Sequence, residues 1–486
     1  MRVFNVNKAI GYASSGVEYA QKYRQEIFAT WTIDDYYIFT DYISTNISVF
    51  TDLMGFPRKK IIWIYNYLAR RPIGNSNFTV EQYLNSMADD FNISQKNEKF
   101  IDVVLIDKKI MHKIWLLKDG MIDRIDTIVD NKLHSVAHYD SDLSNVEYYC
   151  DGKIIYREFF STKQVSVFKQ SYKDNRILQT FIDGKVLNGR TEFFQYFFKL
   201  LNVKNDEVII IDRALDVADS ILPIFAGKAR LFSVVHAEHF DRYLSEDNYI
   251  LWNNHYEYIF EYAQYFEAII AATEKQKNIL NKQLLGKTKV VDIPVGYVKE
   301  IVENIDYAPF SLITASRLAS EKNLDVLINA VYLARKKIPD LTLDIYGEGN
   351  RFPLNELIEE KNAGEYISLK GHHDLSKVYS RYGIYLSAST SEGFGLTLLE
   401  AISEGVPVIA LNVPYGNQEF VIDGENGFLC LHTTLDEDVD RIAHSIVKYY
   451  QTDMEVSARN KSKVIAKDYL FEEVEKKWRD LLENNI

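Results

Sequence analysis

Cysteine is nearly missing from this chain. Cys150 and Cys430 are its only two, and they lie far apart. That excludes a disulfide framework, a C-x-x-C redox pair and a cysteine-based zinc site, and predicts two reduced thiols in a reducing cytoplasm. Long apolar runs are missing too. No stretch reaches the roughly eighteen apolar residues that a membrane-spanning helix needs. The opening Met1-Arg-Val-Phe-Asn-Val-Asn7 turns polar too soon for a signal peptide. These absences predict a cytoplasmic protein, associated with a membrane at most peripherally. Positive charge is in deficit, with a formal net charge of −13. Nucleic acid is thereby excluded as the main partner, because phosphate backbones are bound by basic patches. A local phosphate site remains compatible with that total.

What is present is ample material for cores: 47% of the 486 residues are apolar, in a length that suggests roughly two to four domains. Val3-Phe-Asn-Val6 reads as a buried strand and Gly11-Tyr-Ala-Ser-Ser-Gly16 as a small-residue loop. Val17, Ala20, Tyr23, Arg24, Ile27 and Phe28 recur at helical spacing, and Asp35-Tyr-Tyr-Ile-Phe-Thr40 is the next strand. From about 60 to 204 the character changes. Asp119-Gly120, Asp151-Gly152 and Asp183-Gly184 punctuate runs rich in Val, Ile, Tyr and Phe. This predicts an inserted, mostly antiparallel β-domain of hairpins. From about 205, Glu207-Val-Ile-Ile-Ile211, Arg230-Leu-Phe-Ser-Val-Val235, Ala268-Ile-Ile-Ala-Ala272 and Lys289-Val-Val-Asp-Ile293 restore strands buried on both faces. Pro294-Val-Gly296 reads as a hinge. Phe310 to Ala315, Leu341 to Tyr346 and Ile367 to Leu369 then begin a second doubly wound pattern, and a helix bearing Trp478 closes the chain.

The rest is organised around Ser389-Thr-Ser-Glu-Gly-Phe-Gly-Leu-Thr-Leu-Leu-Glu400. It follows the apolar run 383–388, opens a helix through Leu396, Leu398, Leu399 and Ile402 that ends at Gly405, and leads to the strand Val406-Pro-Val-Ile-Ala410. A strand, glycine turn, helix and strand make a βαβ unit, which binds ligands at the carboxyl ends of its strands. Gly393 and Gly395 let backbone approach a ligand, and the helix start offers amides to an anion. Earlier, Ser316-Arg-Leu-Ala-Ser-Glu-Lys322 places Arg317 and Lys322 on one loop, where two cations can converge on one anion.

The string around Glu392 and Glu400 resembles the E-x7-E signature of the retaining glycosyltransferases of family 4. Gly405-Val-Pro-Val-Ile-Ala410 and Asn417 to Leu429 are similar to that family as well. The resemblance implies an α/β GT-B fold, two Rossmann-like domains flanking a cleft, with the β-domain inserted in the first. The implied division is 1–59 with 205–300 as the acceptor-side domain, 60–204 as the insertion, 301–468 as the nucleotide-sugar domain, and a tail helix, 469–486, crossing back to the first. It assigns Arg317 and Lys322 to the donor diphosphate, Glu392 and His236 to the donor sugar, and Glu400 to the ribose hydroxyls. Gly393, Phe394, Gly395, Leu396 and Thr397, with Leu398, would line the sugar and phosphate. Gly371-His372 would hold the base through backbone groups. Gly16, flanked by Ser14 and Ser15, would face the diphosphate. His239 is a weaker candidate than His236.

The N-terminal string from Asn5 to Gln21, together with the insertion, narrows the resemblance to accessory-secretion transferases that glycosylate Ser/Thr of serine-rich repeat adhesins. That implies a UDP-sugar donor carrying N-acetylglucosamine, or alternatively glucose, and a homologous, catalytically degenerate partner subunit. The insertion would bind the polypeptide acceptor and the partner. Two alternatives stand: a family member acting on wall teichoic acid, and the non-catalytic partner itself. No metal or other cofactor is expected. Asp140-Ser-Asp142 forms a D-x-D triplet, but it lies in the insertion without the strand context of a metal site.

Overall fold

The computed structural model describes residues 1–11, 16–31, 33–106, 109–246, 249–303 and 306–483. It divides into two compact units, Met1–Ser233 with Asn254–Glu267, and Val234–Asn253 with Ala268–Ile486.

In the first unit, continuous apolar runs become parallel strands. Ile61–Trp63, Asp34–Phe39, Arg2–Asn7, Val208–Ile211 and the strand starting at Arg230 lie side by side in that order. Val208 to Ile211 are all buried, because both faces of a parallel sheet are covered. Ile61–Trp63 thus pairs with Asp34–Phe39, although the sequence reading puts it in the insertion. A run of three residues is too short to show its period.

The helix Gly16–Phe28 buries Glu18, Gln21, Arg24 and Gln25 beside Ala20, Ile27 and Phe28. Its inner face is therefore more polar than the apolar spacing predicts. Arg24 Nη2 donates to both carboxylate oxygens of Asp212, at 2.7 and 2.6 Å, and Gln21 Nε2 donates to Asp212 at 2.8 Å. Asn7 Nδ2 donates to Glu18 and Gln21 at 3.0 and 3.1 Å. These bonds tie the helix to the ends of the first and fourth strands.

The antiparallel expectation holds. Ten strands from Phe91–Lys96 to Lys185–Asn188 pair in chain order as one meander. Asp151-Gly152 and Asp183-Gly184 are two-residue turns with positive φ at both positions, as hairpins of native twist require. Asp130-Asn131 and Asp174-Asn175 do the same work. Asn tolerates the left-handed region, so an Asp-Gly count alone underestimates the hairpins. Asp119-Gly120 sits instead in a longer turn, where Leu117 N–H donates to Met121 at 2.8 Å.

An aromatic seam joins meander and parallel layer. Tyr65 stacks on Phe159 at 5.3 Å, Phe159 on Phe168 at 4.1 Å, and Phe193 lies 5.7 Å from Tyr65. Phe193 comes from the helix Gly189–Leu200, which also buries Phe194, Phe197 and Phe198. Beside the seam, Glu147 accepts from His138 at 2.7 Å, Arg157 at 3.0 Å and Tyr42 at 3.0 Å.

The second unit carries six parallel strands in the order Ile367–Gly371, Thr342–Tyr346, Ala308–Ala315, Tyr382–Ser387, Val408–Leu411, Gly427–Cys430. In chain order that is third, second, first, fourth, fifth, sixth, the doubly wound arrangement. Its switch point lies between Ala308–Ala315 and Tyr382–Ser387. Ala268–Ala271 and Lys289–Asp292 pair in parallel. The tail helix Phe471–Glu483 packs beside them: Phe471 meets Tyr297 edge-on at 4.9 Å, and Lys477 bonds Asp292 at 2.5 Å. Among the described residues, no helix is long and apolar enough to cross a membrane.

The Arg24–Asp212 pair yields a stability prediction. Asp212→Ala leaves a buried guanidinium without its carboxylate and should lower unfolding stability by about 3–5 kcal/mol. Denaturant unfolding of the variant checks this, and a loss under 1 kcal/mol would count against the pair as a tie between helix and strand.

Candidate active site

The site of the second unit grows from the two loops that leave its switch point. After Ala308–Ala315 the chain enters Ser316 to Lys322. This loop is pinned to its neighbour: Ser316 N–H donates to Tyr346 O at 3.0 Å and Leu318 N–H to Glu348 O at 2.8 Å. Gly347 and Gly349 have φ of 141° and 147°, and a Cβ at either would strike a carbonyl of this loop. Asn323 then takes a left-handed φ of 45° and donates from Nδ2 to Ala388 O at 2.9 Å. It thereby locks the first loop to the end of the fourth strand, a role that sequence reading missed. Its only sequence signal is an Asn directly before a helix start.

After Tyr382–Ser387 comes the glycine turn. Gly395 caps the helix Leu396–Ser403 with φ 92°. The helix ends as expected at Gly405, φ 74°, where Val406 N–H returns to Ala401 O at 2.9 Å. A Cβ on Gly393 would fall on the His236 carbonyl, and one on Gly416 on the Phe394 carbonyl. The turn is thus wedged between the segments that carry His236 and Tyr415, with no room for a side chain at either glycine.

The two loops meet in one ion pair: Lys322 Nζ lies 2.7 Å from Glu392 Oε2, both partly buried. Arg317, in contrast, is exposed and donates to Glu321 at 2.9 Å. Glu400 accepts from Tyr379 Oη at 2.9 Å, and burial pushes its carboxyl up to about 7, with the nearby Glu404 adding to the rise. Thr397 shares a bond of 2.8 Å with Tyr385 Oη, which also donates to Ala315 O at 3.1 Å. Tyr385 and Tyr379 are thus supporting groups that the sequence reading did not single out.

The remaining candidates distribute less uniformly. Phe394 is buried and packs edge-on against Phe420 at 5.0 Å, so its ring belongs to the core and only its backbone is available to a ligand. Leu396 packs partly against that core. Gly371 has φ 83° and accepts at its carbonyl from Gly347 N–H at 2.9 Å. His372 is exposed, its N–H 3.3 Å from Glu348 Oε1. His236 directly follows the strand Arg230–Val235. Gly16 opens its helix in the first unit, where a Cβ would meet nothing within 4 Å among the described residues. Ser14 and Ser15 lie outside the described residues. Asp140 and Asp142 both close on the buried Arg71, which supplies the positive charge between them.

What the cluster can do chemically follows from these positions. A helix start, the Lys322 ammonium on the facing loop and backbone amides suit a polyanion, and a carboxyl poised near neutrality suits hydroxyl donors.

Glu400 allows a check. Its folded-state carboxyl sits above the ordinary value of 4.5. The folded chain therefore holds this proton more tightly, a contribution that is complete below that value and lost as pH rises through about 7. Glu400→Gln should then melt above wild type at pH 8, and the gap should shrink as pH falls toward 4.5, in thermal unfolding scans. A gap that is constant with pH would refute the assignment.

Three comparisons match this architecture. The family described as glycosyl transferases group 1 matches residues 300–485. The UDP-N-acetylglucosamine–peptide N-acetylglucosaminyltransferase GtfA subunit of Streptococcus pneumoniae is 36% identical over 99% of both chains. The crystal structure of the pneumococcal O-GlcNAc transferase GtfA in complex with UDP and GlcNAc superposes with a TM-score of 0.93 at 35% identity, covering 99% of this chain and 98% of that one. A GtfA/B complex structure gives 0.90 at 34% identity, covering 99% of each. With the doubly wound sheets, the meander and the E-x7-E turn all in place, this chain belongs to the GtfA-subunit family of GT-B glycosyltransferases.

Proposed function

We propose that this protein is a retaining transferase that moves N-acetylglucosamine from a UDP-sugar to Ser/Thr hydroxyls of a serine-rich repeat adhesin. It would act in the cytoplasm as the catalytic subunit beside a homologous, GtfB-like partner. The observation that carries the reading is the Lys322–Glu392 pair across the switch point, set in a chain with full-length likeness to GtfA subunits. In the reaction, the bond from the sugar's anomeric carbon to the diphosphate breaks, and a bond to the acceptor oxygen forms on the same face. The departing phosphate oxygen takes the acceptor's proton, so no separate protein base is needed. Arg317 and Lys322 offset the charge that develops on the leaving diphosphate. Glu400 accepts from the ribose hydroxyls, and Glu392 and His236 hold the sugar.

Arginine and lysine here do the electrostatic work that a divalent ion does elsewhere. The Asp140–Asp142 pair is already matched to Arg71. The reaction is therefore proposed to run without metal.

The meander suits a polypeptide partner. Its terminal strand, Lys185–Asn188, bonds a neighbour on one side only. Leu178, Phe181 and Val186 are exposed on the last two strands. An open strand edge with apolar side chains pairs with extended chains or with another sheet.

Three experiments test the reading. A panel of UDP-sugars offered with a Ser/Thr-rich peptide, read by mass spectrometry, should show transfer of an N-acetylhexosamine. Arg317→Ala and Lys322→Ala should each cut turnover by about two to three orders of magnitude, and near-normal turnover in both would defeat it. Transfer should also survive excess EDTA, and strict dependence on added manganese or magnesium would overturn the metal-free proposal.

A further inference from the structure

Glu392 is held by more than Lys322. Its carbonyl accepts from Tyr415 N–H at 2.7 Å and from Gly416 N–H at 2.9 Å. Tyr415 is in turn held through its side chain. The ring is fully buried, stacks 5.7 Å from the His239 ring, and has the Arg242 guanidinium 5.7 Å above it. Its hydroxyl lies 2.9 Å from His239 Nδ1. The other nitrogen, His239 Nε2, lies 2.8 Å from Gln283 Oε1, at the end of the helix Glu274–Gln283. An amide oxygen can only accept, so Nε2 carries the proton, Nδ1 keeps its lone pair, and the tyrosine hydroxyl donates. Burial lowers the imidazole to about 4, so this tautomer persists at neutral pH. His239 is three residues from His236, whose carbonyl sits against Gly393.

We infer that His239 and Tyr415 are positioning residues that set the sugar-side turn through the Glu392 carbonyl. The chain of contacts runs Gln283, His239, Tyr415, Glu392. It fixes the backbone from which the Glu392 carboxylate reaches Lys322, and it couples that backbone to the segment bearing His236. Neither residue touches the nucleotide-side groups Arg317 or Glu400 in this arrangement of contacts. Their loss should thus act on the sugar step and spare nucleotide binding. This inference rests on the reading of Glu392 as a donor-sugar contact.

Tyr415→Phe removes the hydroxyl and keeps the ring. Its kcat for transfer should fall about tenfold, the scale of one neutral hydrogen bond. Affinity for UDP by calorimetry should stay at its wild-type value, while the melting temperature should drop by no more than the loss of one buried hydrogen bond costs. His239→Asn keeps an acceptor where Nδ1 sits, whereas His239→Leu does not, so the Asn variant should retain more kcat than the Leu variant. The Tyr415→Phe/His239→Leu double variant should be no slower than the slower single, because both remove the same bond. A Tyr415→Phe kcat within twofold of an active wild type overturns the inference alone. So does a loss of kcat accompanied by an equal fold loss of UDP affinity, which marks a merely structural bond. A wild type that transfers no sugar from any UDP-sugar defeats the underlying reading, and this inference with it.

Discussion

The second unit depends on how closely two loops approach at one point of its sheet. Where the strand order reverses, no crossover helix occupies the space above the first and fourth strands. Lys322 comes from one loop and Glu392 from the other, and they close the gap at 2.7 Å. The approach is possible because the surrounding backbone has shed its side chains. Gly347 and Gly349 admit the first loop, while Gly393 and Gly416 admit the second. Asn323 and Tyr385 then fasten both loops to strand ends. Without a ligand the glutamate balances the lysine. In the proposed reaction, an arriving diphosphate would find a cation already held in place, which favours binding over a site that must first be assembled.

Much of this was legible in the sequence, for reasons that differ from residue to residue. Val208 to Ile211 announce themselves because a strand buried on both faces has little polar alternation to confuse. The helix Leu396–Ser403 is bracketed by glycines at both ends. Glu392 and Glu400 stand at a spacing that few other constraints would impose. What escaped is long-range. Arg24 and Asp212 are 188 residues apart, and nothing local marks them as partners. The Asp-Asn turns escaped because Asp-Gly is the louder signal. Arg71 sits 69 residues from Asp140, so the acidic triplet looked unmatched. His239 reads as a weaker sugar-side candidate and Tyr415 carries no local signal, and only their long-range bond ties them to Glu392. Phe394 lies in the motif only through its backbone, and its ring belongs to the core.

The buried polar groups of the first unit share a design. Asp212, Glu147 and the Asp140–Asp142 pair each face an arginine that is itself buried. An ion pair taken out of water contributes little net stability, because desolvation offsets most of the attraction. It does forbid alternatives, since any packing that separates the partners strands a charge. Arg157 adds an orientation, lying 3.3 Å over the Tyr42 ring beside the carboxylate of Glu147. The seam between meander and parallel layer is in this way specified by charge and ring geometry together.

The meander's chain-order pairing also bears on how the molecule is born. The chain leaves the parallel layer after Ile61–Trp63 and re-enters it at Val208–Ile211. Between them lies a sheet whose every strand bonds its immediate neighbours in sequence. Such contacts close short loops and form early, whereas the partner of Arg2–Asn7 on its far side must wait for residue 208 to leave the ribosome. Once the hairpins have formed, the long excursion is no longer a floppy loop but a folded body, so fewer free residues remain to be ordered when the fourth strand of the parallel sheet arrives.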